Sequence, residues 1–208
     1  MTQIPADELQ ALGRIEPGAT VCELGNKKNS TGLYRHWYER IGCQYVCVDW
    51  NGEDGAVPLD MRYSVIPQDI LDFLELDLDH PLRRAQHGFD LVTNFGFTEH
   101  VTEQEPAWRN IHNLVRKGGV IAICLPFPFS NFKLARPNWD EHGFWQPTVK
   151  WMELLADANN YRVQFISIFK KRVRPTLISR WWKPHDDPFV WIDEPMHRTK
   201  LKMVQERK

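Results

Sequence analysis

Short apolar runs alternate along the chain with longer segments in which apolar residues recur every three or four positions. The short runs predict strands, at 18–25, 44–50, 56–60, 89–94, 119–125 and 162–169. The longer segments predict helices, at 31–41, 105–115 and 148–159. Strands that alternate with helices are typical of a parallel sheet covered by helices. The pattern therefore predicts an α/β fold with a mostly parallel sheet.

The chain of 208 residues has nearly balanced charge, but the charges are unevenly distributed. Residues 1–161 hold 14 basic and 22 acidic side chains, whereas residues 162–208 hold 12 basic and 5 acidic ones. At about 150 residues per domain, the length favours one domain with an appendage. We predict a domain over residues 1–170 and, at residues 171–208, a basic extension that contains tryptophan and packs on the domain or trails from it.

Composition also bears on the compartment. No apolar run approaches the roughly 18–20 residues that span a bilayer, and the first residues lack the pattern of a secretory signal. The cysteines form no CxxC pair, which favours buried reduced thiols; they are Cys22, Cys43, Cys47 and Cys124. We therefore expect a cytoplasmic protein.

The first candidate site follows the first predicted strand. In the stretch 21–26, Gly25 lets the backbone approach a ligand because it has no Cβ. The carboxylate of Glu23 can accept a hydrogen bond from an amine or order the turn. Asn26 tolerates the left-handed backbone region better than most residues.

Acidic residues follow the next strands. Asp49 ends the second strand, where a carboxylate commonly accepts two hydrogen bonds from ribose hydroxyls. Asp60 could accept a hydrogen bond from an adenine amino group, with Met61 packed on the ring. Asp77 offers another register for this third acid; the short turn from Asp49 favours Asp60.

A fourth cluster follows the strand at 89–94. Asn94 ends that strand, and Glu99 and His100 come shortly after it. His100 is a candidate general base for a proton of high pKa; its alternative role is structural, at the start of the next helix. Glu99 could bind a ligand or simply stabilise a helix start.

Together these motifs resemble the class I S-adenosylmethionine-dependent methyltransferases of the small-molecule type. The resemblance covers about residues 15–170 and implies a three-layer Rossmann-like sandwich with seven strands. It also implies S-adenosylmethionine as cofactor and methyl transfer to oxygen, nitrogen or carbon. The residues it assigns to the cofactor are Glu23, Gly25, Asn26, Asp49, Trp50, Asp60, Met61, Asn94 and Phe95. His100 and Glu99 would serve the reaction, and no metal is expected, because Gly96 stands where a metal-assisted branch needs an acid.

The chain departs from the family pattern in the first turn. Where the family continues with a further glycine, this chain has Asn26 followed by Lys27 and Lys28. This leaves a second function open, that of a catalytically inactive scaffold that acts through its basic C-terminal segment. A dinucleotide dehydrogenase is excluded by the absence of GxGxxG.

Two further segments concern partners. The aromatic, proline-rich stretch 126–147 follows the fifth strand and is a candidate lid. It favours a small-molecule acceptor with an apolar or ring face. The stretch 170–184 mixes cations with indoles, which could contact nucleic acid or a membrane surface. We favour the alternative that it folds onto the domain; the sequence does not give the oligomeric state.

Overall fold

The computed structural model describes residues 4–26, 28–29, 32–127, 143–171 and 174–198. Its strands are β1 (Thr20–Leu24), β2 (Lys28–Asn29), β3 (Gly32–Leu33), β4 (Gln44–Asp49), β5 (Val57–Pro58), β6 (Phe89–Phe95), β7 (Val115–Pro126), β8 (Trp145–Gln146), β9 (Arg162–Lys171), β10 (Arg174–Trp182) and β11 (His197–Arg198). Its α-helices are α1 (Ala6–Leu12), α2 (Arg35–Arg40), α3 (Pro67–Phe73), α4 (Gln104–Leu114) and α5 (Val149–Ala158). Short 3₁₀ helices cover Glu53–Gly55, Pro81–His87 and Thr98–His100.

Seven of these strands form one sheet in the order β5-β4-β1-β6-β7-β10-β9. The first five strands in this order run parallel, and β10 is antiparallel to both of its neighbours. Neighbouring strands β4, β1 and β6 therefore end at the same edge of the sheet. This arrangement confirms the predicted α/β fold with a mostly parallel seven-stranded sheet.

Helices cover both faces of the sheet, which gives three layers. One core cluster holds the buried residues of α3, α4 and α5, among them Trp108 and Trp151. The other lies beneath α1 and α2 and contains Leu12, Tyr34 and Tyr38. Every residue of β1 is buried, as expected for a central strand with helices on both sides.

The helices follow from local sequence signals. In α4, Trp108, Ile111 and Leu114 are all buried, because a spacing of three residues keeps them on one face. Helix α5 begins after Thr148, whose Oγ1 accepts a hydrogen bond from the backbone N–H of Trp151 at 3.1 Å.

Two predicted boundaries were wrong. The helix expected at 31–41 begins only at Arg35, because Gly32–Leu33 pairs with Lys28–Asn29 in a short hairpin and is extended. The fifth strand begins at Val115 rather than at residue 119. Phe89 pairs with Val115 but Leu91 pairs with Val120, so a bulge in β7 takes up the intervening residues.

The C-terminal segment contributes to the sheet. Strand β10 lies between β7 and β9, so the domain boundary predicted at residue 170 falls at the end of β9. After β10, the buried Lys183 donates hydrogen bonds from Nζ to the carbonyl oxygens of His112 and Val115, at 2.9 and 3.0 Å. These carbonyls lie at the end of α4, where a cation is favoured.

Two further expectations concern the whole chain. The four cysteines are free and buried, as predicted. Among the described residues, no helix has the length and apolar character needed to cross a bilayer.

Candidate functional site

A cleft of about 510 Å³ opens where β4 and β5 end, beside the residues that follow β6. In open α/β sheets, ligands bind outside the carboxyl ends of the strands. The side chains that line this cleft come from four segments of the chain and include acidic and aromatic groups. They belong to Asp49, Trp50, Asp60, Met61, Arg62, Phe97, His100, Val101, Thr102 and Phe144.

Asp49 and Trp50 form the wall at the end of β4. Asp49 is half-buried, and burial raises the pKa of its carboxyl group; hydrogen bonds from the backbone of Asn51 and Trp50 offset part of that shift. Asp49 lines the cleft, and a carboxylate that accepts these two hydrogen bonds keeps acceptor capacity for hydroxyl groups. The indole of Trp50 is 73% exposed and provides a flat apolar surface beside it.

Asp60 and Met61 lie just after β5, in the register favoured by the sequence. Strand β5 pairs in parallel with β4, whereas Asp77 lies outside the sheet. Asp60 is held by Arg62, whose Nη2 donates to Oδ2 at 2.6 Å and whose Nε donates to Oδ1 at 3.0 Å. These hydrogen bonds lower the pKa of Asp60. Met61 is buried against the core and reaches the cleft.

The first turn is largely closed by the protein itself. Glu23 is fully buried in β1 and accepts a hydrogen bond from the Tyr45 hydroxyl at 2.5 Å. Gly25 has a φ of +82°, and a Cβ built at this position would lie 2.7 Å from Cδ2 of Phe97. The ring of Phe97 therefore covers the glycine that was predicted to approach a ligand.

Asn26 adopts the positive φ expected of it, at 29°. Its Nδ2 donates to the carbonyl oxygen of Glu53 at 2.6 Å, and its Oδ1 accepts a hydrogen bond from Sγ of Cys47 at 3.4 Å. The side chain thus ties the turn after β1 to the loop after β4. Lys27, the first residue of the lysine pair, lies outside the described residues.

The two predicted residues at the end of β6 do not line the cleft. The Asn94 side chain is buried, and its Nδ2 donates to Oγ1 of Thr98 at 2.8 Å while its Oδ1 accepts from the Thr98 backbone N–H at 3.1 Å. Asn94 therefore shapes the turn that presents Phe97. Phe95 is buried in the core cluster beneath α1 and α2, on the face away from the cleft.

The two candidate catalytic residues are adjacent but differ in exposure. The His100 side chain is 51% exposed and lines the cleft, while the Glu99 side chain is buried; Nε2 of His100 lies 3.7 Å from Oε1 of Glu99. A Cβ at Gly143 would lie 2.6 Å from the Glu99 carbonyl oxygen, so only glycine permits this approach. The adjacent Phe144 lines the cleft beside the histidine loop, because its backbone N–H donates to the same carbonyl oxygen at 2.5 Å.

Most of the candidate lid lies outside the described residues, which resume at 143. Phe144 faces the cleft, whereas Trp145 does not line it: its Nε1 donates to the carbonyl oxygen of Thr102 at 3.1 Å. At the described end of the lid, Phe144 therefore contributes its ring to the cleft, and Trp145 anchors the segment to the Thr102 carbonyl group.

The stretch 170–184 is described in its second half, where its side chains pack on the domain. Trp181 is fully buried, and Trp182 donates a hydrogen bond to the Gly118 carbonyl oxygen at 3.0 Å and lies beneath the guanidinium of Arg162. Lys183 is also buried. These contacts support the interpretation that we favoured over a nucleic-acid or membrane surface.

Four aromatic or polar cleft residues were not among the predicted site residues: Arg62, Phe97, Thr102 and Phe144. Phe97 lies within the fourth motif, so the motif pointed to its position without showing its orientation. Phe144 belongs to the candidate lid. No group of three side chains suited to a metal ion occurs in the described part of the chain.

Comparisons with known proteins bear on the fold that carries this cleft. A family model described as a methyltransferase domain matches residues 29–123. No curated protein sequence matches the chain.

Solved structures share the fold. The 1,6-didemethyltoxoflavin-N1-methyltransferase of Burkholderia thailandensis, solved with bound 1,6-didemethyltoxoflavin and S-adenosylhomocysteine, matches over 86% of this chain and 79% of its own, with 16% identity and a TM-score of 0.57. A methyltransferase from Mesorhizobium loti matches over 85% and 98%, with 14% identity and a TM-score of 0.57.

A third similar structure is longer than this chain. Phosphoethanolamine N-methyltransferase 2 of Haemonchus contortus matches over 86% of this chain but 52% of its own, with 12% identity and a TM-score of 0.57. This chain therefore spans about half of that enzyme. The chain therefore contains a match to a methyltransferase domain and shares its fold with solved S-adenosylmethionine-dependent methyltransferases.

Proposed function

We propose that the protein transfers the methyl group of S-adenosylmethionine to an oxygen, nitrogen or carbon atom of a small or medium-sized acceptor. The observation that carries this proposal is the 510 Å³ cleft at the carboxyl edge of the sheet, with Asp49 and Met61 on its wall. The four buried free thiols support a reducing compartment, the cytoplasm, as its place of action.

The residues of the cleft fit the adenosine part of the cofactor. Asp49 would accept hydrogen bonds from the ribose hydroxyls, and its raised pKa indicates that its charge lies in a partly desolvated place where such bonds are strong. Trp50 and Met61 would pack against the adenine, and Asp60 would receive its amino group. When bound, the cofactor supplies a methyl group on a sulfonium, which is an electrophile without further activation.

The fit at the first turn is indirect. The ring of Phe97 covers Gly25, so the turn of Gly25 and Asn26 would border the amino-acid part of the cofactor through that ring. Glu23 is buried against Tyr45, so we assign it the role of ordering this turn. We assign the same indirect role to Asn94 and Phe95, which hold the end of β6 in place.

The chain's own groups would prepare the acceptor. His100 is half-exposed on the cleft wall and can accept a proton from an acceptor of high pKa. Glu99 lies behind it and would hold the imidazole in position. Phe97 and Phe144 supply apolar surface that excludes water from the reacting atoms.

Cofactor binding tests the proposal most directly. We expect S-adenosylhomocysteine, titrated by calorimetry, to bind the wild-type protein, and Asp49→Ala to weaken it about 10- to 100-fold through lost hydrogen bonds to a carboxylate. Asp79→Ala removes an exposed carboxylate in a turn away from the cleft and should leave the affinity unchanged. An unchanged affinity in Asp49→Ala would contradict the assignment of Asp49 to the ribose hydroxyl groups.

The pH dependence of binding adds an independent readout. Because burial raises the pKa of Asp49 and bound hydroxyl groups favour its charged form, affinity should fall as the pH decreases through that raised pKa. In Asp49→Asn this decrease should be lost. A wild-type profile that stays flat down to the usual carboxyl range would contradict the assignment.

One observation favours a second function, a scaffold without methyl transfer. The Phe97 ring lies against Gly25 and covers the first turn. A thermal shift measurement with S-adenosylhomocysteine separates the two functions, since ligand at about 100 times its Kd adds about 2.7 kcal/mol of stability. No shift at millimolar ligand would favour the scaffold.

A further inference from the structure

A second groove, of about 350 Å³, lies at the opposite edge of the sheet from the cofactor cleft. Its walls come from the loop before β1, the first residues of β6, the start of β7 and the end of β10. Because β10 is antiparallel to β7, its end meets the start of β7. We call this feature the arginine groove; its charged residues are Arg14, Arg84, Arg116, Arg180, Glu16 and Asp90.

Two of the four arginines are neutralised locally by a carboxylate. Nε of Arg14 lies 2.8 Å from Oε1 of Glu16, and Nη2 of Arg116 lies 2.7 Å from Oδ1 of Asp90. Asp90 also accepts hydrogen bonds from the backbone and hydroxyl groups of Thr20, at 2.8 and 2.9 Å. Asp90 is therefore fully occupied and cannot serve another cation.

The other two arginines have no such partner among the described residues. Arg84 donates to the carbonyl oxygen of Gly18. Arg180 donates from Nη1 to the carbonyl oxygen of Ala11 at 3.2 Å, and within the part of the chain that the structure describes no carboxylate lies within ion-pair distance of it. The residues that line the groove thus carry four positive and two negative charges.

Arg180 is the most informative of these cations, because it is half-buried. Its guanidinium packs against Gly13, where a Cβ would come within 3.1 Å of Nη1. Burial lowers the pKa of this side chain, and no opposing charge on the described segments offsets the shift. Taking a cation out of water without a counter-charge is unfavourable, and four of its five N–H donors are not used by the described protein groups. An anion in the groove would provide both the charge and the acceptors.

We propose that the arginine groove binds a phosphate dianion, either free or carried on a small molecule. The guanidinium group matches phosphate oxygens with two parallel hydrogen bonds. Two uncompensated positive charges match a dianion better than a monocarboxylate. The volume suits a small phosphate compound rather than an extended polymer, and the site is separate from the cofactor cleft.

Calorimetric titration with inorganic phosphate, in chloride buffer at constant ionic strength, tests this proposal. We expect saturable binding to the wild-type protein, and Arg180→Gln to weaken it at least about tenfold, as the loss of a charged bidentate partner would. Arg14→Gln should weaken it less, and because this side chain is 86% exposed the substitution leaves folding intact. Arg40→Gln, at an exposed position in α2, is the matched control and should bind as the wild type does.

Further titrations separate the sources of the phosphate group. Tighter binding of ribose 5-phosphate than of inorganic phosphate would assign the groove to a phosphorylated small molecule, and equal binding would assign it to free phosphate. Competition between phosphate and S-adenosylhomocysteine would overturn the proposal, because the anion would then occupy the cofactor cleft. Equal affinities in Arg180→Gln, Arg14→Gln and wild type would also overturn it. So would a single-stranded oligonucleotide that binds the groove more tightly than either phosphate compound.

Discussion

The two sides of the cleft at the carboxyl edge of the sheet differ in how their polar groups are engaged. On the β4–β5 side, defined by Asp49 and Asp60, the carboxylates line the cleft. On the β1 side, defined by Glu23 and Gly25, the carboxylate accepts a hydrogen bond from Tyr45 inside the core, and an aromatic ring covers the glycine. One side faces the open cleft, and the other faces the protein.

This difference predicts which substitutions change ligand affinity and which change the stability of the fold. A carboxylate that lines a cleft, such as that of Asp49, can exchange water for ligand without breaking contacts inside the core. A buried carboxylate with an internal donor contributes to folding, and its loss leaves a buried polar group unsatisfied. We therefore expect substitutions on the β4–β5 side to change ligand affinity, and substitutions on the β1 side to change mainly the free energy of unfolding.

The largest effect is expected at Gly25. Alanine at a φ of +82° is strained, and its Cβ would meet the Phe97 ring at 2.7 Å. Gly25→Ala should lower the free energy of unfolding by about 2–4 kcal/mol, from backbone strain and overpacking together. Urea unfolding followed by circular dichroism measures this loss.

Gly18 provides a matched control for the backbone contribution. Its φ is +81°, but a Cβ there would have no atom within 4 Å. Gly18→Ala should therefore cost only the backbone part, about 1–2 kcal/mol. In the double variant of Gly25→Ala with Phe97→Ala, the cost should be less than the sum of the single costs. Equal losses at both glycines would show that Phe97 does not cover the first turn.

The next effect is expected at Glu23. Glu23→Gln keeps the shape but replaces a charged acceptor of the Tyr45 hydroxyl with a neutral amide, which adds a buried donor. We expect a loss of about 1–3 kcal/mol in the free energy of unfolding, with the affinity for S-adenosylhomocysteine nearly unchanged. Glu153→Gln, at an exposed position of α5, should change neither quantity. A larger loss of affinity in Glu23→Gln than in Asp49→Ala would reverse the comparison.

The sequence predicted the strands of this cleft well because burial leaves a strong local signal. Strand β1 is fully buried and β6 is buried except at Asp90, so both read as short, mainly apolar runs; the position of Asp60 followed from the short link after β4. Strand β10 was not predicted, although it lies between two other strands. Its neighbour β7 is distant in sequence, and its neighbour β9 pairs with it as a hairpin. Pairing between strands leaves little trace in the periodicity of the sequence.

Side-chain direction was the limit for the site itself. Asn94 and Phe95 lie at the end of β6 as predicted. The Asn94 side chain forms a hydrogen bond with Thr98, however, and the Phe95 side chain packs in the core. A shift of one residue in a strand moves a side chain to the other face, so a motif gives position without orientation. Phe97 and Phe144 illustrate the converse, since they line the cleft through loop geometry that the spacing of motifs does not encode.

The smallest effect is expected at Arg62. It tests whether the Asp60 carboxylate on the β4–β5 side is available to a ligand. Arg62 holds both oxygens of Asp60 and lowers the pKa of that carboxyl group. In Arg62→Ala, the pKa of Asp60 should rise toward its usual value, and its oxygens should become available to an adenine amino group. Because an exposed ion pair contributes little, we expect S-adenosylhomocysteine to bind only about two- to threefold more tightly.

Arg109→Ala is the matched control for this variant. Arg109 also forms an exposed ion pair, with Glu105 on α4, and neither residue lines the cleft. Its removal should leave the calorimetric affinity unchanged. If Arg62→Ala instead weakens binding, then Arg62 itself contacts the ligand. The affinity contributed by the β4–β5 side would then depend on this arginine as well as on the carboxylates.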